Sequence, residues 1–146
     1  MQLTGRSDYR RKAFTLIELI MVVVLIGVIA IFAMPNYSKA VNRSYEKAAS
    51  NNLLIIYSVQ KLRYNNGNND YLPATGNTLD LGNINSQLGL SVIANGVTYE
   101  CVNGSSGDNS SFACTATHTA FVLKVTEADP TVCCVGTCPT ITTVCS

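Results

Sequence analysis

The sequence predicts an α+β protein in which a long N-terminal α-helix packs on a small antiparallel β-sheet head with a disulfide-stapled C-terminal tail. Three observations support this fold class. An apolar run fills residues 14–34, a helical repeat continues from it to residue 64, and short β-favouring runs lie between residues 97 and 126. At 146 residues, the chain has room for one globular domain.

Charge is concentrated at the N-terminus of the chain. Hydrophobic residues make up 47% of the sequence and charged residues only 13%, with a formal net charge of +1. Residues 1–13 hold four basic residues and one acid, a net +3, so the rest of the chain carries −2. The basic character therefore belongs to a short leader rather than to a binding face, and no nucleic-acid partner is predicted.

The apolar run has the length of a membrane span. The 21 residues from Phe14 to Met34 would form a helix about 31 Å long, which matches the hydrocarbon core of a bilayer. Arg10, Arg11 and Lys12 precede it, and the positive-inside rule places them in the cytoplasm with everything after the run exported. A cleaved secretory signal would have a shorter apolar core of roughly 7–15 residues, so we expect an anchor instead.

Glu18 is the one charged residue within this run. A carboxylate costs about 2.5–3.5 kcal/mol at the bilayer centre and less near the interface. If the chain is cut before Phe14, the new α-amino group lies one helical turn from Glu18, and a neighbouring copy offers an identical amine. Such a pair is worth about 4 kcal/mol at ~4 Å before desolvation is subtracted, so it sets axial register more than net stability. The alternative is that Glu18 reaches the lipid headgroups.

Residues 10–19, Arg-Arg-Lys-Ala-Phe-Thr-Leu-Ile-Glu-Leu, resemble the cleavage and assembly motif of type IV prepilins and of the pseudopilins of type II secretion. The resemblance implies cleavage between Ala13 and Phe14, N-methylation of Phe14 and an assembly role for Glu18. Ala13 departs from the glycine that is usual in the family. Pro35 lies where the family often has a helix-kinking proline. The resemblance covers residues 6 to about 64, and beyond them it is one of layout only.

The resemblance implies a pilin-like fold and a structural function. The precursor is expected in the inner membrane, single-pass with its N-terminus cytoplasmic and its head periplasmic. Its expected partners are copies of itself and other pilins in a helical filament, a prepilin peptidase, an inner-membrane assembly platform, a cytoplasmic assembly ATPase and membrane lipid. The filament is either an extracellular type IV pilus or a periplasmic pseudopilus. A non-polymerising, single-pass anchored binding module is a further alternative.

The domain organisation follows from these segments. The chain divides into a cleaved leader (1–13), a membrane and filament-core helix (14–34), an amphipathic continuation of that helix (35–64) and a globular head (65–146). One face of the continuation is expected to pack under the head. It is formed by residues recurring at spacings of three or four, namely Tyr37, Val41, Tyr45, Ala48, Asn52, Ile55, Val59 and Leu62.

The head begins with an irregular segment. The run 65–70 is rich in asparagine and glycine and is expected to end the helix. Residues 65–95 are predicted to be a long loop with one short helix near Ile84–Leu88. Its carboxylates and amides raise the alternative of calcium binding, but no Asp-x-Asp-x-Asp-Gly spacing is present, so a plain loop is favoured.

Three β-favouring runs, Val97–Val102, Phe112–Thr117 and Ala120–Thr126, predict a sheet of three antiparallel strands over residues 97–126. Cys101 and Cys114 lie on adjacent predicted strands, so we expect them to pair. The tail at 131–146 holds four further cysteines, for which two pairings remain open: Cys133–Cys145 with Cys134–Cys138, or the swapped arrangement.

The chemistry of the head favours a structural protein. An even number of cysteines beyond an export segment favours disulfides over zinc. The sequence has one histidine, His118, which is expected to be exposed in a turn, and it has no Gly-rich phosphate loop or paired carboxylates. These features predict no enzyme activity, no cofactor and no metal site.

Overall fold

The computed structural model describes residues 14–74, 77–104 and 110–145, and the side chains of residues 33–35 and 68 lie outside the described part. The chain divides into two units, Met1–Tyr37 and Ser38–Ser146. One α-helix, α1 (Leu16–Arg63), runs from the first unit into the second. The long helix predicted from the apolar run and its periodic continuation is therefore confirmed.

Membrane-span criteria of length and hydropathy are met only by a combination of helical segments. Within the described residues, no helix satisfies them alone, whereas Leu16–Phe32 and Asn36–Gly67 satisfy them when taken together as a broken pair.

The helix ends at the asparagine-rich run, as predicted. A single wider turn, Tyr64–Asn68, follows α1, and the chain then reverses through left-handed backbone conformations. Gly67 has φ +94° and Asn69 has φ +49°. Glycine and asparagine adopt this region at the lowest steric cost, which is why this run terminates the helix.

In the part of the head that the structure describes, there are one five-stranded sheet and one short helix. The strands are β1 (Thr78–Asp80), β2 (Thr98–Asn103), β3 (Phe112–His118), β4 (Phe121–Thr126) and β5 (Cys133–Cys134), and the helix is α2 (Leu81–Leu88). The sheet order is β1-β2-β3-β4-β5, and all neighbouring strands are antiparallel. The three predicted strands are confirmed, and the short edge strands β1 and β5 are additions to the prediction.

The predicted loop at 65–95 is more ordered than the sequence indicated. Asp80 ends β1 and caps α2, because its Oδ1 accepts a hydrogen bond from the backbone N–H of Asn83 at 2.9 Å. The helix therefore begins at Leu81 rather than near Ile84. It ends at Leu88 and is followed by Gly89, whose φ is +65°. The side chain of Asn85 closes the following loop by bonding both the N–H and the C=O of Val92, at 2.9 and 2.8 Å.

The core of the head lies between the second half of α1 and one face of the sheet. Burial alternates along β2, β3 and β4, so every second side chain faces the helix. Ala49, Leu53 and Ile56 of α1 are fully buried in this core. The sheet contributes a set of buried side chains: Tyr99, Cys101, Phe112, Cys114, Ala116, Phe121, Leu123 and Val125.

The face of α1 that is buried differs from the predicted one. The buried series is shifted one residue along the chain and consists of Glu46, Ala49, Leu53, Ile56 and Gln60. In the predicted series, four positions are only partly buried and four are exposed, among them Tyr37 at 72% and Leu62 at 58%. A shift of one residue turns an α-helix by about 100°, so the prediction selected a neighbouring face.

Candidate functional site

Among the described residues of the first unit, nothing covers the apolar helix. Its large side chains are 48–79% exposed; they are Phe14, Leu16, Ile17, Leu19, Ile20, Met21, Val22, Val23, Val24, Leu25, Ile26, Val28, Ile29, Ile31 and Phe32. Burying one such side chain is worth about 1.5–3 kcal/mol, and a helix that is apolar all round belongs inside a membrane or among other helices. This segment therefore requires lipid or protein around it.

Glu18 lies in the first turn of this helix and is exposed. The helix begins after Thr15, whose Oγ1 and C=O both accept hydrogen bonds from the backbone N–H of Glu18, at 3.4 and 3.1 Å. Thr15 is thus the N-cap and Glu18 the third helical residue, the spacing of a capping box. A carboxylate at this end of a helix gains about 0.3–1 kcal/mol from the helix dipole.

This capping role was missed from the sequence, although the signal was present. Thr-x-x-Glu directly before an apolar run is the signature of a helix N-terminus. The observed cap is made by Thr15, and Glu18 occupies the position that completes a capping box, in addition to the assembly role that the resemblance implies. The two roles are separable, because glutamine at this position retains capping and lacks the charge.

Two predicted site residues lie partly or wholly outside the described part. Ala13 is not among the described residues, whereas Phe14 directly precedes the helix with 79% of its surface exposed. Pro35 falls within the bounds of α1, but its side chain is outside the described part. Cleavage between Ala13 and Phe14, methylation of Phe14 and the kink at Pro35 remain predictions.

Buried polar side chains attach the second half of α1 to the head. Glu46 is fully buried, and its carboxylate accepts hydrogen bonds from the Thr140 hydroxyl and from the Ile141 backbone N–H, the latter at 2.9 Å. Gln60 is also fully buried and bonds both the N–H and the C=O of Leu72, at 3.0 and 2.6 Å. These two residues hold the C-terminal tail and the segment after the helix against α1.

Asn52, the polar break in the predicted apolar series, also contacts the sheet. Its Nδ2 donates to the Tyr99 hydroxyl at 2.8 Å. Burial raises the pKa of Tyr99, while the hydrogen bond from Asn52 acts in the opposite direction. The Asn52 amide thus supplies the hydrogen-bond partner that the buried Tyr99 hydroxyl requires.

A charged group lies at the far end of the helix. Lys61 forms a hydrogen-bonded ion pair with Glu127 and lies 5.5 Å from the ring centre of Tyr71. Partial burial opposes the charged form of Lys61, but Glu127 and Tyr71 outweigh it and raise the pKa of Lys61 to about 12. Burial also raises the pKa of Tyr71, although Lys61 acts against this shift.

Three disulfides join all six cysteines: Cys101–Cys114, Cys133–Cys145 and Cys134–Cys138. The first joins directly opposed residues of β2 and β3, whose Cα atoms are 4.1 Å apart, as predicted from their strands. The tail adopts the first of the two pairings left open. Sequence separations of 13 and 12 residues correspond to about 3 kcal/mol of stabilisation each in a chain-entropy model.

His118 corrects a further prediction. It is half-buried at the end of β3 rather than exposed in a turn. Its ring stacks on Phe121, with the ring centres 5.0 Å apart, and contacts the ring of Tyr45 of α1 at 5.1 Å. Its Nδ1 accepts a hydrogen bond from the Ala120 N–H at 3.2 Å.

Within the described ranges, no group of three or more His, Cys, Asp or Glu residues is placed to hold a metal ion.

Comparison with known proteins identifies the class of the N-terminal segment. Residues 8–34 match the prokaryotic N-terminal methylation motif. This match covers Arg10, Arg11 and Lys12, together with Phe14, Glu18 and the apolar run. The predicted resemblance to the type IV pilin and pseudopilin family is thereby confirmed for the N-terminal part of the chain.

A curated relative is similar to a longer stretch of the chain. The chain is 44% identical over 57 residues to the type IV major pilin protein PilA of Myxococcus xanthus (strain DK1622). The match covers 39% of this chain and 26% of that protein, so the chain spans about a quarter of the relative's length. No solved structure is significantly similar to the chain.

Proposed function

We propose that this chain is a structural subunit of a type IV pilus-like helical filament that assembles through its N-terminal helix. The observation that carries the proposal is the exposed apolar helix with the methylation motif at its start and Glu18 in its first turn. Lipid satisfies the apolar surface before assembly, and helices of other copies satisfy it afterwards. The head remains outside the packed helices, stabilised by its own core and three disulfides.

Processing creates the group that pairs with Glu18. A prepilin peptidase cuts between Ala13 and Phe14 and methylates the new N-terminus, which removes the net +3 of the leader. The resulting amine of one copy reaches Glu18 of the next and fixes their axial register. The attraction of about 4 kcal/mol at ~4 Å is offset largely by desolvation, so the pair selects one register among many similar apolar contacts.

The expected site of action is the inner membrane and the filament that leaves it. Before assembly, the subunit stays in the inner membrane with its N-terminus in the cytoplasm and its head in the periplasm. An assembly platform and a cytoplasmic ATPase then move it into the filament. A surface pilus is favoured because the curated relative is a major pilin. A periplasmic pseudopilus is the alternative, and recovery of the subunit in filaments sheared from intact cells distinguishes the two.

Separating the charge of Glu18 from its capping role tests the proposal. Glu18→Gln retains the capping-box geometry and removes the charge, whereas Thr15→Ala removes the cap and retains the carboxylate. We expect Glu18→Gln to insert into the membrane at wild-type levels and to be absent from filaments. Thr15→Ala is expected to assemble, because a lost cap costs only about 1 kcal/mol in a helix that packing stabilises.

The measurement is immunodetection of the subunit in sheared filament and membrane fractions, with mass spectrometry of the N-terminus. The proposal requires an N-methylated Phe14 in the filament. Wild-type incorporation of Glu18→Gln would refute the charge-pairing mechanism. A filament subunit that begins at Met1 would refute the processing step, and a processed chain never found in filaments would indicate an anchored module instead.

A further inference from the structure

Three basic residues form one stripe on the exported part of α1. Lys39, Arg43 and Lys47 are each exposed and recur every four residues. Four residues advance an α-helix by slightly more than one turn, so the three cations share one face over about 12 Å. We refer to Lys39, Arg43 and Lys47 as the basic stripe.

The basic stripe lacks compensating charge in the described residues, where none of its members forms an ion pair. The acid nearest in sequence, Glu46, is fully buried and accepts its hydrogen bonds from the C-terminal tail. By contrast, the two basic residues near the end of α1, Lys61 and Arg63, are each paired with a carboxylate. The charge of the stripe is therefore available to an external anion.

The position of the stripe indicates which anion it meets. Lys39 follows the apolar run by five residues, and the exposed aromatic Tyr37 lies between them. Tyrosine is enriched where a helix leaves a bilayer, and lysine and arginine extend their charged ends towards lipid headgroups. Side chains on an α-helix also tilt towards its N-terminus, which here is the end that joins the apolar run.

We propose that the basic stripe binds the phosphate groups of anionic phospholipids on the exported side of the membrane. This inference rests on the membrane anchoring in the proposed function, but not on filament formation. Cleavage of the leader leaves the basic stripe unchanged, so the stripe holds the mature subunit at the exported membrane surface until assembly.

The sequence provides a clean spectroscopic test because it contains no tryptophan. Tyr37→Trp places a single fluorophore beside the stripe in the full-length chain, reconstituted in phosphatidylcholine vesicles. Brominated phosphatidylglycerol or brominated phosphatidylcholine is then added at equal mole fraction, and quenching reports which lipid lies next to residue 37. An anionic membrane surface attracts a nearby lysine or arginine strongly enough to favour binding about fivefold. We therefore expect quenching to show at least about a fivefold preference for phosphatidylglycerol over phosphatidylcholine.

Two variants in the same background assign the effect to charge. Replacing all three residues with glutamine should remove the preference, whereas exchanging the cations (Lys39→Arg, Arg43→Lys, Lys47→Arg) should retain it. High salt should weaken the preference of the Tyr37→Trp protein for phosphatidylglycerol, since the Debye length falls to about 3 Å at 1 M ionic strength. Unchanged helix content by circular dichroism verifies that each variant is folded.

The outcomes separate the inference from the proposed function. If both lipids quench the Tyr37→Trp protein equally, the basic stripe does not select anionic phospholipid and this inference is wrong, whereas the proposed anchoring stands. Quenching by neither lipid would show that residue 37 does not lie next to lipid and would overturn this inference. Anchoring is tested separately, because an anchored chain floats with the vesicles in a density gradient and an unanchored one does not. Equal quenching combined with salt-sensitive self-association that requires the stripe would assign it to a second copy of the chain and overturn the lipid proposal.

Discussion

Glu46 links the C-terminal tail to the central helix, and its replacement gives the sharpest test of how the head is held together. The carboxylate is fully buried and bonds Thr140 and Ile141 in the loop between Cys138 and Cys145. Glu46→Ala removes both hydrogen bonds. Because Thr140 is exposed, water can replace the lost partner of its hydroxyl, whereas the N–H of the half-buried Ile141 is left with poorer access to solvent.

The magnitude follows from these contacts. Hydrogen bonds to a charged group contribute about 1.5–3 kcal/mol each, so Glu46→Ala should lower the free energy of unfolding by about 3 kcal/mol. Glu46→Gln keeps one acceptor oxygen and nearly the same volume, so its loss should be about 1 kcal/mol. Glu100→Ala, which removes an exposed carboxylate on β2, is the matched control and should change stability by no more than about 0.5 kcal/mol.

The assay is guanidinium unfolding of the full chain in non-ionic detergent, followed by the near-ultraviolet circular dichroism of its seven tyrosines. Reduction of the disulfides should shrink the Glu46→Ala effect, because the tail would then be less constrained against the helix. Equal stabilities of Glu46→Ala and the Glu100→Ala control would refute the reasoning. An effect of the same size before and after reduction would refute the coupling to the disulfides.

Two further predictions concern pH and backbone conformation. Because its pKa is raised from 10.5 to about 12, Lys61 contributes stability that is fully present below pH 10.5 and lost as pH rises through about 12. Below pH 10.5, the free energy of unfolding of the wild type should exceed that of Lys61→Gln by about 1 kcal/mol. The unfolding midpoints of the two proteins should converge as the pH rises through about 12, and a difference that persists would contradict the role of the pair with Glu127. Gly67→Ala should cost about 1–2 kcal/mol because Gly67 has φ +94°, whereas Gly82→Ala within α2 should stabilise the protein by up to about 1 kcal/mol. Equal thermal shifts for the two alanine variants would exclude this explanation.

Much of the fold could be predicted because its signals are local. The apolar run and its periodic continuation predict α1, and the asparagine-rich run predicts its end. The strands β2, β3 and β4 follow from β-favouring runs separated by turn residues, and their adjacency predicts the Cys101–Cys114 pair. The prepilin motif identified the N-terminal segment for the same reason, since all its residues lie within a few helical turns.

The buried face of α1 could not be predicted from hydropathy because both neighbouring faces carry apolar residues. The face that is buried includes Glu46 and Gln60, which a hydropathy criterion assigns to solvent. Both are buried because they bond backbone groups distant in sequence, at Ile141 and Leu72. The competing face, which includes the exposed Ile55, is exposed or only partly buried. Only knowledge of the tail and loop positions would have selected the correct face.

The short edge strands were missed for a related reason. β1 has three residues and β5 has two, too few for a periodic pattern to be recognised. Each exists because a longer neighbouring strand offers unpaired backbone groups along its edge. Their pairing is a property of the assembled sheet rather than of their own residues.

The meander order of the sheet bears on how six cysteines reach one pairing. Fifteen connectivities are possible for six cysteines, yet every bonded pair is at most 13 residues apart. Each neighbouring strand pair is also consecutive along the chain, so hairpin formation brings Cys101 to Cys114 before the distal cysteines are needed. Short loops close at the lowest entropic cost. The head thus specifies its oxidative folding through chain proximity, and the disulfide between β2 and β3 can form before the C-terminal tail takes its place.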